Sequence, residues 1–251
     1  SLTTKKTSVL GVIIIAEDLI RKSYNFDVGA EVFPYDVMAG MPRGLSGTSY
    51  GLISERFCIS DDGETLPDIL KTKRVDGILL IGAQFNDCFA KNIKNCGLPV
   101  VVIGREHEMF DSITADIGKG VYIAAEYLVN TGHRQICYVN SPPCFSTSLD
   151  RSKSFKSSMD TFKSTISESW LLNTEHNSGL GGYNAIKALF ETSARPDGIL
   201  TANDGIALGV MRYLYEQKIN IPEDISIISF EDSVLSGYAT PALSTININK
   251  E

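Results

Sequence analysis

The sequence lacks a CxxC pair, histidines at ligand spacing, and any apolar run long enough to cross a bilayer. Its five cysteines (Cys58, Cys88, Cys96, Cys137, Cys144) are odd in number and scattered. That pattern excludes a disulfide framework and fits reduced thiols in a cytoplasmic protein. The three histidines, His107, His133 and His176, lie far apart, so no metal centre is expected. The longest strongly apolar run, Val9–Ala16, falls well short of the ~20 residues a membrane span needs, and reads as a buried strand. The opening Ser1-Leu2-Thr3-Thr4-Lys5-Lys6 is not followed by a signal-peptide core.

Basic residues are also too few for a nucleic-acid surface. Lysine and arginine number 23 against 30 acids, giving a net charge of −7. A surface that tracks phosphates is normally basic, so this chain by itself is not expected to hold DNA. A phosphate-cradling loop is missing as well. Gly179-Leu180-Gly181-Gly182 precedes a helix without closely following a strand, which fails the context of a dinucleotide fingerprint. No nucleophile motif or Ser/His/Asp order stands out. The expectation is a binding protein with no catalytic apparatus and no cofactor.

What is present is an alternation. The chain is 43% hydrophobic and 21% charged, enough apolar material for a substantial core. Short apolar runs predict strands at Val9–Ala16, Gly51–Ile59, Val75–Ile81, Pro99–Gly104, Gln135–Asn140, Gly198–Ala202 and Ile225–Phe230. Helical spacing marks Gly118–Thr131, Arg151–Phe162, Gly182–Glu191 and Asp204–Gln217. Near-continuous apolar strands separated by helices indicate parallel sheets covered on both faces. Between Glu17 and Gly44 breakers such as Gly29, Pro42 and Gly44 accumulate, so a first helix there is expected to be short or irregular.

The chain also partly repeats itself. Arg74-Val75-Asp76-Gly77-Ile78-Leu79 recurs as Arg195-Pro196-Asp197-Gly198-Ile199-Leu200. Around it, Val9–Ile15 corresponds to Gln135–Asn140 and Pro99–Gly104 to Ile225–Phe230, at a nearly constant offset of about 121 to 126 positions. The shared order predicts an α/β fold of two similar parallel-sheet lobes with a cleft between them. Open sheets bind ligands at the carboxyl ends of their strands. The expected division is 1–115 plus 241–251 for one lobe and 116–240 for the other.

Asp116-Ile117-Gly118, Gly132-His133-Arg134, Asn203-Asp204 and Pro222-Glu223-Asp224-Ile225-Ser226 belong to segments that resemble those of the lactose-repressor/galactose-repressor (LacI–GalR) family of bacterial regulators. Asp116-Ile117-Gly118-Lys119-Gly120 through Ala124-Ala125-Glu126-Tyr127-Leu128 is similar to its "D-N-x-x-G…A-x-x-L" helix, and Gly132-His133-Arg134-Gln135-Ile136 to its "G-H-R-x-I". Asn203-Asp204 with Ala207 and Gly209 resembles "N-D-x-x-A-x-G". Pro222-Glu223-Asp224-Ile225-Ser226 through Phe230-Glu231-Asp232, followed by Tyr238 and Pro241-Ala242-Leu243-Ser244-Thr245-Ile246, resembles "P-x-D-I-S-V-V-G-F-D-D…Y…P-P-L-T-T-I". The resemblance implies a periplasmic-binding-protein-like core that binds a small effector, a sugar or sugar derivative. It also implies a homodimeric repressor that meets operator DNA only through an N-terminal helix-turn-helix, which is missing from this chain, as is the family's usual C-terminal end. No membrane partner is expected.

By position, the resemblance points to Arg151 of the "R-x-x-G-F" motif, where Ser154 replaces the glycine, and to Asn203 and Glu231, the last where the family usually has aspartate. Asp232, Arg105 and Phe145 complete the candidate ligand contacts. Read without the resemblance, Arg151 is a solvated first-turn arginine and Asn203-Asp204 is a helix cap. Glu231-Asp232 is then a turn, and His133 a structural partner of a helix end. An extracytoplasmic solute receptor feeding a sugar transporter is the alternative function, since one fold serves both.

Overall fold

The computed structural model describes residues 6–15, 32–60, 62–82, 85–163 and 168–250. Among these the chain divides into two units, one of 6–15 with Val37–Ala115 and one of 32–36 with Asp116–Lys250. The first carries β1 (Val9–Ile15), most of α1 (Val32–Gly44), β2 (Gly51–Phe57), α2 (Asp68–Lys71), β3 (Gly77–Ile81), α3 (Asp87–Asn95), β4 (Val100–Ile103) and β5 (Asp111–Ile113). The second carries α4 (Ile117–Asn130), β6 (Gln135–Asn140), α5 (Ser146–Phe162), β7 (Glu168–Asn173), α6 (Gly179–Phe190), β8 (Gly198–Thr201), α7 (Asp204–Glu216), β9 (Ser226–Phe230), α8 (Val234–Tyr238) and β10 (Ser244–Ile246).

Each unit is built on a five-stranded parallel sheet. The orders are β2-β1-β3-β4-β5 and β7-β6-β8-β9-β10, the same arrangement element for element. The repeat read from the sequence therefore maps β1 onto β6, β3 onto β8 and β4 onto β9. Its Asp-Gly anchor has a mechanical basis. The Asp76 carboxylate accepts hydrogen bonds from the backbone N–H of Thr7 (2.9 Å) and Ser8 (2.8 Å), while its own N–H donates to Val9 O at 2.8 Å. The Asp197 carboxylate accepts from Arg134 N (2.8 Å) and Gln135 N (3.0 Å), and its N–H donates to Gln135 O at 2.9 Å. Each aspartate thus fixes the start of β1 or β6 against the neighbouring β3 or β8, which the following glycine begins.

Apolar strand residues form the cores. In the first unit Ile13, Ile78, Leu80 and Val102 pack with Phe89 and Ile93 of α3. In the second, Ile136, Tyr138, Ile199, Leu200 and Ile228 pack with Val121, Leu128, Ile186, Ile206 and Val210 of the helices. Side-chain caps start four of those helices: Asn86 accepts from Phe89 N, Asp116 from Lys119 N, Ser178 from Gly181 N and Asn203 from Ile206 N. Each such cap typically contributes about 1 kcal/mol. His133 closes α4, its Nδ1 lying 2.9 Å from Leu128 O.

The glycines before and within α6 and α7 are explained by packing. A Cβ on Gly182 would stand 2.2 Å from Ile206 O, and one on Gly209 would stand 1.7 Å from Gly179 O. The two helices cross backbone to backbone, which only glycine permits.

Two expectations need correction. The end of the chain does not belong with the first lobe: β10 pairs in parallel with β9, through Ser244–Ile228 to Ile246–Phe230. Its register extends the second sheet outward, so residues 241–250 fall in the second unit. Breakers near Met38–Gly44 do not prevent a helix, because α1 runs from Val32 to Gly44. Pro34 sits in its first turn, where a missing N–H costs little, and Pro42 in its last. The rest of that stretch, from Glu17 to Glu31, lies outside the described residues. Trp170 is in β7 and packs against the second core.

Candidate functional site

Parallel strands finish on one edge of their sheet. In the second unit that edge is formed by the residues after β6, β7, β8 and β9: Ser141, Thr174, Asn203-Asp204 and Glu231-Asp232. The helix α5 adds Arg151. The sequence reading placed Arg151 in a first turn, but α5 begins at Ser146, with Phe145 at its N-cap position. Pro142 and Pro143 and the polar run after them conceal that early start. Arg151 therefore lies one turn before Phe155 and two before Met159, on the same inward stripe, and is only 9% exposed. Its guanidinium carbon stands 5.7 Å from the Phe230 ring centroid. Its Nε meets no hydrogen-bond acceptor among the described residues.

Glu231 follows β9 directly and has φ of +99°, a backbone conformation that strains any residue with a Cβ by about 1–3 kcal/mol. Part of its side chain remains accessible, yet its carboxyl is enclosed. Desolvation raises its pKa to about 8; Arg151 opposes that rise and Asp204 reinforces it. The ion pair Lys250–Asp36 contributes in both senses. Enclosure thus favours the acid form of the Glu231 carboxyl, beside a buried arginine.

Asn203 and Asp204 combine capping with site building. Asn203 Oδ1 accepts from Ile206 N at 2.8 Å, and its Nδ2 donates to Asn177 Oδ1 at 2.7 Å. Asp204 is 1% exposed and accepts three hydrogen bonds. Ser233 N and Ser233 Oγ donate to Oδ2, both at 2.7 Å, and Thr245 Oγ1 donates to Oδ1 at 3.0 Å. The carboxylate thus ties the start of α7 to the turn after β9 and to β10, and holds Glu231 in place from two residues away.

The structure brings Arg151, Glu231 and Phe230 together, and joins Asn203 to them through Asp204. Asp232 goes elsewhere. It is exposed, with φ of +48°, and its Oδ2 accepts from Asn247 Nδ2 at 2.8 Å. Phe145 is buried where α5 begins. Arg105 belongs to the first unit, one residue past the end of β4 and its following glycine. There its guanidinium lies 4.7 Å from the Phe85 centroid. Phe85 in turn stacks with His107 at 5.0 Å and meets Phe89 edge-on at 6.1 Å. Desolvation lowers the Arg105 pKa, and lowers that of His107 with help from Arg105.

Sequence reasoning missed several polar groups. Tyr138 OH, Ser141 Oγ, Thr174 Oγ1 and His176 Nδ1 are buried without a hydrogen-bond partner among the described residues. All belong to the second unit. Buried polar atoms are ordinarily paired, and these four, with Arg151 Nε, are the exceptions among the described residues. One signal was available: a phenol at position 138, in the middle of the otherwise apolar run Ile136-Cys137-Tyr138-Val139. Asn140, by contrast, is fully used, donating to Ser148 and Ser152 and accepting from Ser141 N.

Comparison with known proteins adds a second line. Residues 125–251 match the family described as Periplasmic binding protein-like domain. The ribose operon repressor of Haemophilus influenzae is 28% identical over 252 residues, covering 98% of this chain and 71% of that protein. The HTH-type transcriptional repressor PurR of Edwardsiella ictaluri is 29% identical over 187 residues, covering 73% of this chain. The match spans 54% of that repressor's length. Among solved structures, a LacI family transcriptional regulator from Enterococcus faecium with bound ribose has a TM-score of 0.76 at 25% identity. That alignment covers 96% of this chain and 84% of the other.

Proposed function

The chain belongs to the periplasmic binding protein-like domain family, and from that premise we propose that it is the ligand-sensing part of a bacterial transcriptional repressor. Its ligand is a small metabolite of the sugar class, seated against the carboxyl end of the second sheet. Arg151, Asn203 and Glu231 contact it, with Phe145 and Asp232 of the same unit as the remaining candidates. The observation that carries this reading is the placement of a buried arginine beside a strained glutamate at the carboxyl end of one sheet. Function sites concentrate strain and perturbed ionisation in this way.

The relatives named above are repressors, which favours a regulator over a transporter receptor. Operator DNA is read by a different segment of the protein, consistent with the net charge of −7. The protein works in the cytoplasm as a homodimer, and ligand binding shifts the balance between its conformations. No catalytic step is assigned.

A thermal-shift screen against pentoses, hexoses, nucleosides and their derivatives tests the proposal. A ligand specific for the folded state raises the melting temperature by mass action. The same ligand should alter operator binding by the full-length regulator. A ligand that stabilises the domain but leaves operator binding untouched would remove the repressor reading.

A further inference from the structure

The outward face of α4 is not that of an ordinary solvated helix. Its inward stripe, Val121, Ala124, Ala125, Leu128 and Val129, is buried in the second core. The opposite side of a surface helix normally carries charged and polar residues. Here Tyr122, Ile123 and Tyr127 stand 38%, 44% and 61% exposed. Ile123 and Tyr127 are four positions apart and so adjacent on the helix surface. The Tyr122 ring lies 5.4 Å from that of Phe162 in α5. Single exposed apolar residues need no explanation, but a contiguous set marks a contact surface. Tyrosine is among the residues enriched at such contacts.

The charges on this face say what covers it. Lys119 and Glu126 lie two turns apart along the same line of the helix, separated by about 10 Å of helical rise. Lys119 is exposed, and no acid among the described residues forms an ion pair with it. Glu126 accepts from Tyr122 OH at 3.2 Å through Oε1, and no described residue bonds to its Oε2. The point midway between the two charges falls between Tyr122 and Ile123. Turning the helix end for end about a two-fold axis at that point exchanges the two positions. Lys119 of one copy then faces Glu126 of a second copy, and the pairing occurs twice. Ile123 meets Ile123 of the second copy beside the axis, and Tyr127 comes over its Lys119, an aromatic face against a cation. A two-fold contact requires self-complementarity of this kind. Two like charges at 119 and 126 would repel in the same arrangement.

We propose that two copies of this chain associate through α4, packed antiparallel about a two-fold axis between Tyr122 and Ile123, with Lys119 of each copy paired to Glu126 of the other. One helix face buries less than the ~800 Å² per partner of a stable complex, so the contact is weak and depends on concentration. The association is separate from ligand binding and stands whatever ligand the second sheet holds.

Sedimentation equilibrium of the 251-residue protein across a concentration series measures it. The mass should show a step in which it doubles with concentration, and salt should weaken that step by screening the paired charges. Ile123→Glu, which brings two carboxylates together at the axis, should abolish the step. Lys119→Glu and Glu126→Lys should each weaken it about tenfold, because each turns two attractive pairs into two repulsive ones. Combining Lys119→Glu with Glu126→Lys should restore it, a recovery that no folding defect can produce. Circular dichroism of the variants checks that the helix is retained. A mass that does not change with concentration overturns the inference. So does a step that survives Ile123→Glu, one that ignores both single reversals, or one that the combined variant fails to restore.

Discussion

Gly104 and Glu231 occupy the same place in the two sheets, and both have φ of +99°. Gly104 follows β4 and donates its N–H to Ile113 O of β5 at 2.9 Å; Glu231 follows β9 and donates to Ile246 O of β10 at 3.0 Å. The first unit meets this backbone requirement with the residue suited to it. The second meets it with a glutamate, under strain and with a desolvated carboxyl. A residue held against both costs is retained for what its side chain does.

Replacing Glu231 with glycine should therefore stabilise the unliganded protein while weakening ligand binding. Relief of strain of about 1–3 kcal/mol is partly offset by the greater freedom glycine gives the unfolded chain, about 0.4–1 kcal/mol. A net gain near 1 kcal/mol corresponds to roughly 2–4 °C in Tm for a protein of this size. Calorimetry on E231G with and without ligand measures both effects. A lower Tm together with unchanged affinity would remove Glu231 from the site.

The same carboxyl gives a pH signature. Its pKa is 4.5 in the unperturbed state and about 8 when folded. Between those values the folded state holds a proton that the unfolded state has released, so stability falls as pH rises. Below about pH 4.5 both states are protonated, and above about pH 8 both are ionised, so the dependence flattens at each end. Thermal melts of the unaltered protein and of Glu231→Gln should show the variant gaining relative stability from pH 5 to pH 8. Parallel curves across that range would mean that Glu231 ionises normally.

Asp204→Asn should be among the more damaging single-atom changes in the second unit. The amide keeps one acceptor oxygen and turns an NH2 toward groups that now donate to a carboxylate. Charge-assisted hydrogen bonds are worth about 1.5–3 kcal/mol, and a buried donor left without a partner costs a similar amount. A loss of about 2–4 kcal/mol in urea unfolding, with weaker ligand binding through the displaced Ser233 turn, is the expected result.

Gly209→Ala tests the crossing of α6 and α7. The added methyl would meet Gly179 O, a backbone atom that no rotamer change can move. Overpacking of this kind costs typically 1–3 kcal/mol or more, so Tm should drop by several degrees. Gly237→Ala is the matched control, because outside its chain neighbours and its own helix's backbone nothing lies within 4 Å of its added Cβ. Equal melting temperatures for the two variants would contradict the close crossing.

Legibility of the fold in the sequence followed the physics of each element. The apolar strands and the Asp-Gly repeat were readable because each had a local cause: continuous burial in one case, a carboxylate binding backbone N–H groups in the other. By contrast, α1 was obscured by prolines that sit harmlessly at its ends, and the start of α5 by the polar run Ser146-Thr147-Ser148, which carries no apolar period. The placement of β10 depends on a long-range pairing with β9 that no short window encodes. Within the site, Asn203 was visible as a cap and Arg151 only through a family resemblance, since its burial comes from helix facing. The roles of Asp204 as a hub and of Tyr138 as an unpartnered donor emerge only once β6, α7 and β10 are assembled.

That hub also acts as a mechanical link. Because one carboxylate grips Ser233 and Thr245 together, a displacement of Glu231 by an incoming molecule is passed along to the outermost strand. Among the described residues this strand, Ser244–Ile246, has a neighbour on one side only and three residues of pairing to lose. A three-residue edge strand is thus tied through one carboxylate to the strained turn that carries Glu231.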